Sequence, residues 1–254
     1  MIKSGLNCKN CVSLQSDPRF LLPSGEVHIW RADLDSGNTG RNLEDLLSPD
    51  EMQRANRFRF PEHRRRFIIG RAYLRQLLSA YLAIEGGEVN FNYSLQGKPA
   101  LAPGHDSNIF FNVSHSEDIA AFAFTKEHSI GVDVEVIRYD IDATGIPRRF
   151  FSSAEQTTLA ALEGEAKFRG FFNCWTRKEA YVKAVGSGLS LPLRDFDVSL
   201  APGDPARLLA TRPDQKQAAR WSMASLDFGQ TCAAAVVVEG PITKLHISKF
   251  ALFA

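Results

Sequence analysis

The sequence predicts an α+β protein of two similar halves, each a small antiparallel sheet with packed helices. Three observations carry this. Short segments of alternating or continuous apolar character, the patterns of strands, recur along the chain of 254 residues. Two serine-led helix starts, Ser48-Pro-Asp-Glu51 and Ser152-Ser-Ala-Glu155, each place a glutamate three residues after the serine, the arrangement of a capping box. The order strand, helices, strands then occurs twice, with no low-complexity tract between the repeats.

In chain order, Glu26–Asp33 alternates like a half-buried strand. Ser48 caps a helix that runs toward Phe60, where Pro61 interrupts it. A second helix covers about residues 62–84, with Phe67, Tyr73 or Leu74, Leu77, Leu78 and Tyr81 inward, and Gly86-Gly87 ends it. Val89–Ser94 is another strand, and Gly97-Lys98-Pro99-Ala100 a turn with Lys98 exposed. Ile109–Val113 reads as a short strand that runs into a polar loop, Ser114-His115-Ser116. Ile119–Thr125 is a buried strand, and Ser129–Ile137 follows it as a central one. Ser152 caps a helix to about Leu162, and residues 163–186 hold a long helix. Leu189–Val198 reads as an edge strand because of Pro192. Arg220–Ser225 and Thr231–Val238 are the last strands, and the tail from Ile242 is assigned no role. The resulting division is a flexible tail over residues 1–20, a first half over 21–125 and a second over 126–254.

Composition sets bounds on function. A hydrophobic share of 44% and a charged share of 23% are ordinary for a globular protein. The net charge of +1 argues against a chain whose whole surface binds nucleic acid or a membrane. No apolar run reaches the ~18 residues of a membrane span, and the N-terminus lacks the apolar core of a secretory signal, so a cytoplasmic location is expected. Cys8-Lys-Asn-Cys11 is a lone pair without the second ligand pair of a zinc site. Cys174 and Cys232 sit among apolar neighbours and read as core thiols.

Two stretches carry chemistry. In the long helix, Phe168, Phe172, Trp175, Glu179, Val182 and Gly186 follow steps of four and three and share a face. Glu179 places a carboxylate on that apolar stripe, where it is either paired with Lys183 one turn on or used as a ligand. In Gly131-Val-Asp-Val-Glu135 the valines share one strand face and the carboxylates Asp133 and Glu135 the other, roughly 7 Å apart along the strand. Like charges so placed call for a cation or a basic group between them, unless the strand simply turns an acidic face to solvent. Carboxylates without His or Cys partners are hard oxygen ligands and suit Mg²⁺, with Mn²⁺ also possible. Glu155 already has a structural task in its capping box. The first two helices add an arginine cluster, Arg54, Arg57, Arg59, Arg64, Arg65, Arg66, Arg71 and Arg75, with Glu51, Glu62 and Glu85 in opposition. It reads as a solvated face or an anion site, and the use of arginine throughout favours the second, since guanidinium suits phosphate.

These residues form a recognisable set. Gly131-Val-Asp-Val-Glu135 and Trp175-Thr-Arg-Lys-Glu-Ala-Tyr-Val-Lys-Ala184, followed by Gly186-Ser-Gly-Leu-Ser-Leu-Pro192, strongly resemble the two signature motifs of the 4′-phosphopantetheinyl transferases. Gly97-Lys98-Pro99, Asn112-Val-Ser-His-Ser116 and Arg64-Arg-Arg-Phe-Ile-Ile-Gly-Arg71 match further family motifs. The length resembles the larger, surfactin-synthetase-activating (Sfp-like) type, a pseudodimer of two α/β halves. The resemblance implies transfer of the 4′-phosphopantetheine arm of coenzyme A to a serine of an apo acyl or peptidyl carrier protein, with release of 3′,5′-ADP. It implies Mg²⁺ held by Asp133, Glu135 and Glu179, with Lys183 beside the same phosphates. It implies Lys98, Ser114, His115, Arg66 and Arg71 at the adenosine 3′-phosphate, and Glu179 or Glu155 as acceptor of the serine proton. The first half becomes the adenosine side and the second the metal side. Val136 and Ile137 stand where the family often has a Thr or Lys that touches coenzyme A. Phe150, Phe151 and Phe168–Phe172 are candidates for carrier docking. A monomer is expected, with no nucleic acid and no membrane among the partners. Competing readings are another magnesium-dependent phosphohydrolase or nucleotidyl transferase, and a non-enzymatic module that binds nucleic acid or an anionic partner through its arginines.

Overall fold

The continuous apolar runs become strands buried on both faces. Ile119–Lys126 (β5) and Cys232–Glu239 (β10) each lie inside a sheet, with seven of eight residues buried. The computed structural model describes residues 17–35, 43–95, 97–105, 107–142 and 144–250; the Cys8/Cys11 pair lies outside them. Strands β1 (Glu26–Asp33) and β4 (Ile109–Ser116) flank β5 antiparallel, and β11 (Lys244–Lys249) adds to β1 in parallel. The second sheet has the order β6 (Ile130–Val136), β10, β9 (Trp221–Ser225), all antiparallel. The order β1-β5-β4 thus repeats as β6-β10-β9. Each half also has a small hairpin: β2 (Phe91–Tyr93) with β3 (Pro99–Leu101), and β7 (Phe196–Val198) with β8 (Leu208–Thr211).

The helices repeat as well. Short helix α1 (Pro49–Ala55) precedes the 22-residue α2 (Pro61–Leu82); α3 (Gly145–Phe150) and α4 (Ser153–Ala160) precede the 22-residue α5 (Gly164–Val185). Helix α2 packs on the first sheet through Leu74, Leu77 and Leu78 against Phe122 and Phe124. Helix α5 packs on the second through Phe171 and Phe172 with Ala233, Ala235 and Val237. Between the sheets lies a third core of small and branched residues, among them Ile29, Ala121, Ala123, Val132, Val134 and Val236. The layers are helix, sheet, sheet, helix. Alternate residues of β5 and β10 serve different cores, which is why neither strand shows an apolar–polar alternation.

The repeat extends to single side chains. Arg75 and Lys178 each stand fourteen residues past the first residue of their helices. Each reaches back to the buried glutamate of the preceding capping box: Arg75 Nε donates to Glu51 Oε2 at 2.7 Å, and Lys178 Nζ lies 2.9 Å from Glu155 Oε2. Each also donates to two backbone carbonyls, Gly86 and Val89 in one half and Leu193 and Phe196 in the other. A buried charge pair is tolerable because these extra hydrogen bonds complete its coordination.

Several local readings differ from the structure. Pro61 opens α2 at its first position, where its missing N–H costs nothing. Ser114-His115-Ser116 continues β4 and pairs with Ala121, Ala120 and Ile119. Strand β6 is not central; it ends its own sheet. Residues 189–198 contain two 3-10 turns before the short β7. The tail beyond Ile242 supplies β11, so the 126–254 segment sends its last strand back to the first sheet.

Candidate active site

The open edge of β6 faces β4, and side chains bridge the gap. Asn112 Oδ1 accepts from the Val132 amide at 2.8 Å, Ser116 Oγ from Val136 at 3.2 Å, and Ser114 Oγ from Val134 at 3.4 Å. The two serine hydroxyls pass their protons on: Ser114 Oγ donates to Asp133 Oδ1 at 2.8 Å and Ser116 Oγ to Glu135 Oε2 at 2.7 Å. The Asn-x-Ser-x-Ser alternation therefore does two jobs: it satisfies an otherwise bare strand edge and orients both carboxylates. The period-two polar pattern was the signal for this, hidden by reading the serines as a loop.

Helix α5 brings the other groups. Its backbone approaches β6 so closely at Gly131 that a Cβ there would fall under 3.0 Å from the Ala180 carbonyl and the Ala184 amide. Glu179 and Lys183 flank this contact, one turn apart. Lys183 Nζ lies 2.7 Å from Asp133 Oδ1 and donates to Ser114 Oγ at 3.0 Å. Lys183 thus pairs with Asp133, not with Glu179 one turn before it. Lys98 Nζ donates to the carbonyls of Lys183, at 2.5 Å, and Ile130, at 3.2 Å. Burial, with Lys183 adding repulsion, pushes Lys98 down to about 8.

The three carboxylates feel one another. Burial raises the Glu179 carboxyl above its ordinary value; Asp133 and Glu135 add to this, and Lys183 opposes it. Burial raises Glu135 too, against the Ser116 hydrogen bond, with Asp133 adding. Their oxygens are not all within 4.8 Å of one another. Asp133 is 4% exposed, and its Oδ2 is buried with no hydrogen-bond partner. An orphaned carboxylate oxygen beside two more carboxylates is a donor set that fits a hard divalent cation.

Above them opens a cleft of about 810 Å³ where the halves meet. It is lined by Lys98, Asn112 and Val113 from one half and by Phe150, Glu179 and Lys183, among others, from the second. Gly186, Gly188 and Leu191 to Arg194 form its far wall.

Not every expected residue reaches this cleft. Ser114 is buried beneath Lys183 and supports Asp133. His115 stands near the end of β4 with part of its surface exposed, and burial of its ring, with repulsion from Lys183 and Arg66 adding, lowers its affinity for a proton. Arg66 is itself tied to Asp35 and Glu62, and Arg64 to Glu44, so the arginine cluster has more acidic partners than the sequence suggested. Arg71 is not brought to the cleft: its guanidinium lies against Phe67, Phe91 and Tyr93, 3.4 Å from Glu51. Glu155 is not brought there either. Its Oε2 accepts from the Ser152 amide and Lys178, and its Oε1 from the Val198 amide at 2.8 Å. Phe151, Phe171 and Phe172 are core residues, leaving Phe150 on the cleft wall and Phe168 half-buried against Tyr139.

The Trp175–Ala184 stretch now divides by task. Trp175 packs on Phe150 and Phe171. Arg177 holds Ser199 and Ser225, and Lys178 holds Glu155. Ala180 meets Gly131. Only Glu179, Val182 and Lys183 of it face the cleft, together with Gly186 beyond.

Fold and site together define a two-half α/β protein whose central cleft joins acidic and lysine side chains. Residues 129–237 match the 4′-phosphopantetheinyl transferase superfamily, and residues 39–127 match the 4′-phosphopantetheinyl transferase N-terminal family. The chain is 42% identical over 231 residues to the 4′-phosphopantetheinyl transferase HetI of Nostoc sp. (strain PCC 7120), covering 89% of this chain and 93% of that protein. It is 31% identical over 155 residues to the 4′-phosphopantetheinyl transferase Sfp of Bacillus subtilis (strain 168), covering 61% and 67%. The chain belongs to the 4′-phosphopantetheinyl transferase superfamily.

Proposed function

We propose that this protein transfers the 4′-phosphopantetheine arm of coenzyme A to a serine hydroxyl of an apo acyl or peptidyl carrier protein and releases 3′,5′-ADP. The observation that carries this reading is the joining of Asp133, Glu135, Glu179, Lys183 and Lys98 at one inter-half cleft. Asp133, Glu135 and Glu179 would hold Mg²⁺, which supplies neutralisation of charge on the pyrophosphate and on the departing phosphate. Lys183 and Lys98 bind the phosphates from the cleft wall, and His115 and Arg66 would meet the adenosine 3′-phosphate. The serine oxygen forms a bond to the phosphorus bearing the pantetheine arm, and the bond from that phosphorus to the adenosine-side phosphate breaks. Glu179 takes the serine proton, since it faces the cleft while Glu155 is held by the Ser152 amide, Lys178 and the Val198 amide. One chain supplies both sides of the cleft, which favours a monomer as the working unit. No described helix is long and apolar enough to cross a membrane, and we place the reaction in the cytoplasm, with no nucleic acid involved.

The direct test incubates the protein with Mg²⁺, coenzyme A and an apo carrier, then weighs the carrier. A gain equal to phosphopantetheine supports the reading; no gain across fatty-acid, polyketide and peptide carriers overturns it.

The two candidate bases separate by what they damage. Glu155→Gln is expected to lower stability by about 2 kcal/mol, less than full removal of a buried partner because the amide still accepts from Val198. Its kcat per folded molecule should stay within about tenfold of the parent, whereas Glu179→Gln should lose ~100-fold or more in kcat at unchanged melting temperature. A Glu155→Gln variant of full stability and no turnover would reverse the assignment.

Acidity gives an independent check. Glu135 and Glu179 have folded values above the ordinary 4.5, so their contribution to stability is present at low pH and is lost as pH rises through their raised values. Mg²⁺ binds the deprotonated pair and reverses that loss. Melting curves should therefore show Mg²⁺ stabilising little near pH 4.5 and more toward pH 8, by about 2.7 kcal/mol at a hundred times its dissociation constant. Equal stabilisation at both pH values would contradict the metal assignment.

A further inference from the structure

On the far side of the first sheet, β11 places His246 directly opposite His28 of β1, and Glu26 stands two residues before His28 on the same strand face. One nitrogen from each histidine and a carboxylate oxygen lie within 4.8 Å of one another. His246 Nε2 is 2.8 Å from Glu26 Oε2, and His28 Nε2 is 3.8 Å from the same oxygen. The imidazoles meet edge to face at 4.9 Å.

His28 is the unusual member. It is 5% exposed, and its Nε2 has no hydrogen-bond partner. Its other nitrogen, Nδ1, lies 2.8 Å from Tyr81 Oη, which also accepts from Trp30 Nε1–H at 2.8 Å. The Tyr81 hydroxyl can accept from both rings or give its own proton to His28 Nδ1; in either tautomer Nδ1 is held and Nε2 is the ring nitrogen that faces Glu26. A ring nitrogen held by a buried partner while the other points at a carboxylate and a second imidazole is how metal-binding histidines are oriented. None of the three residues lines the inter-half cleft, and the transfer reaction has no use for them.

We propose that Glu26, His28 and His246 form a second metal site, for a borderline ion of the Zn²⁺ type, that fastens β11 to β1. Two imidazoles and one carboxylate suit Zn²⁺ and not Mg²⁺, which prefers oxygen throughout. Tetrahedral ligands at about 2.0–2.1 Å from Zn²⁺ stand roughly 3.3 Å apart, between the 2.8 and 3.8 Å separations already present. A cavity of about 280 Å³, lined by these three residues and, among others, Lys244, Ser248 and Arg19, whose charge is taken up by Asp17, leaves room for water as a fourth ligand. Lys244 is exposed, so solvent weakens its repulsion of the ion. The ion would join residues 220 positions apart in the chain and so oppose fraying of the terminal strand.

The test holds Mg²⁺ in large excess, so that the carboxylates of the cleft are filled, and titrates Zn²⁺ by equilibrium dialysis with metal analysis. One Zn²⁺ per chain is expected in the parent and in Asp133→Ala. His246→Gln, at a part-exposed position, should fold and weaken binding by more than the ~100-fold that loss of an outer partner can cost; Glu26→Gln should do the same. Zn²⁺ should slow hydrogen exchange of β11 amides in the parent and not in His246→Gln. Absence of a bound equivalent, or unchanged affinity in His246→Gln and Glu26→Gln, overturns the proposal.

Discussion

Asp133→Ala is expected to abolish transfer, lowering kcat/KM by at least ~10³-fold, while the melting temperature moves only a few degrees. The asymmetry follows from what the side chain touches. Asp133 is the shared partner of Ser114 and Lys183, and its second oxygen is unsatisfied. In the proposed reaction it holds the cation and sets the place of Lys183, so one truncation removes two sources of charge stabilisation. Loss of a single preorganised electrostatic contact costs ~10²–10³ in rate, and two acting on the same phosphates should cost more. Stability suffers less because Lys183 is part exposed and regains water, and Ser114 keeps the Val134 amide and Lys183. Steady-state transfer to an apo carrier, with a melting curve on the same sample, checks both halves. Turnover near that of the parent would remove Asp133 from the site.

Gly131→Ala is expected to cost at least about 3 kcal/mol, the upper end for overpacking, although it adds a single methyl group. The new Cβ would meet backbone atoms of Ala180 and Ala184, not the end of a side chain that could swing away. Relief requires α5 to lift from β6, which opens the second core and carries Glu179 and Lys183 off Asp133. A domain of this size loses roughly 2–4 °C per kcal/mol, so the melting temperature should fall by ~10 °C, with turnover falling further. A substitution tolerated within 1 °C would mean that the helix and strand do not touch there.

Much of the second half was legible from residue types alone. The alternation of valine and carboxylate in β6 requires the two acids to share a face, and the i, i+4 spacing of Glu179 and Lys183 requires them to share another. Both capping boxes form as read, with Ser48 and Ser152 opening their helices. The arginine cluster was harder, because its acidic partners Asp35 and Glu44 come from an earlier segment. Glu155 and Lys178 were illegible for the same reason. Nothing local says that the capping glutamate of α4 and the lysine beside Glu179 meet in the core.

By itself the sequence determined most of the strands, the long helices and the family resemblance. Those depend on local periodicity and on motifs a few residues long. Tertiary structure decided that Glu179 and Lys183 meet Lys98 and Asn112 at one cleft, that Glu155 is spent on Lys178 in the core, and that β11 returns to the first sheet. Each of these is a contact between segments far apart in the chain. Such contacts are set by the packing of two sheets and two helices around shared cores, and no periodicity within one segment encodes its partner in another.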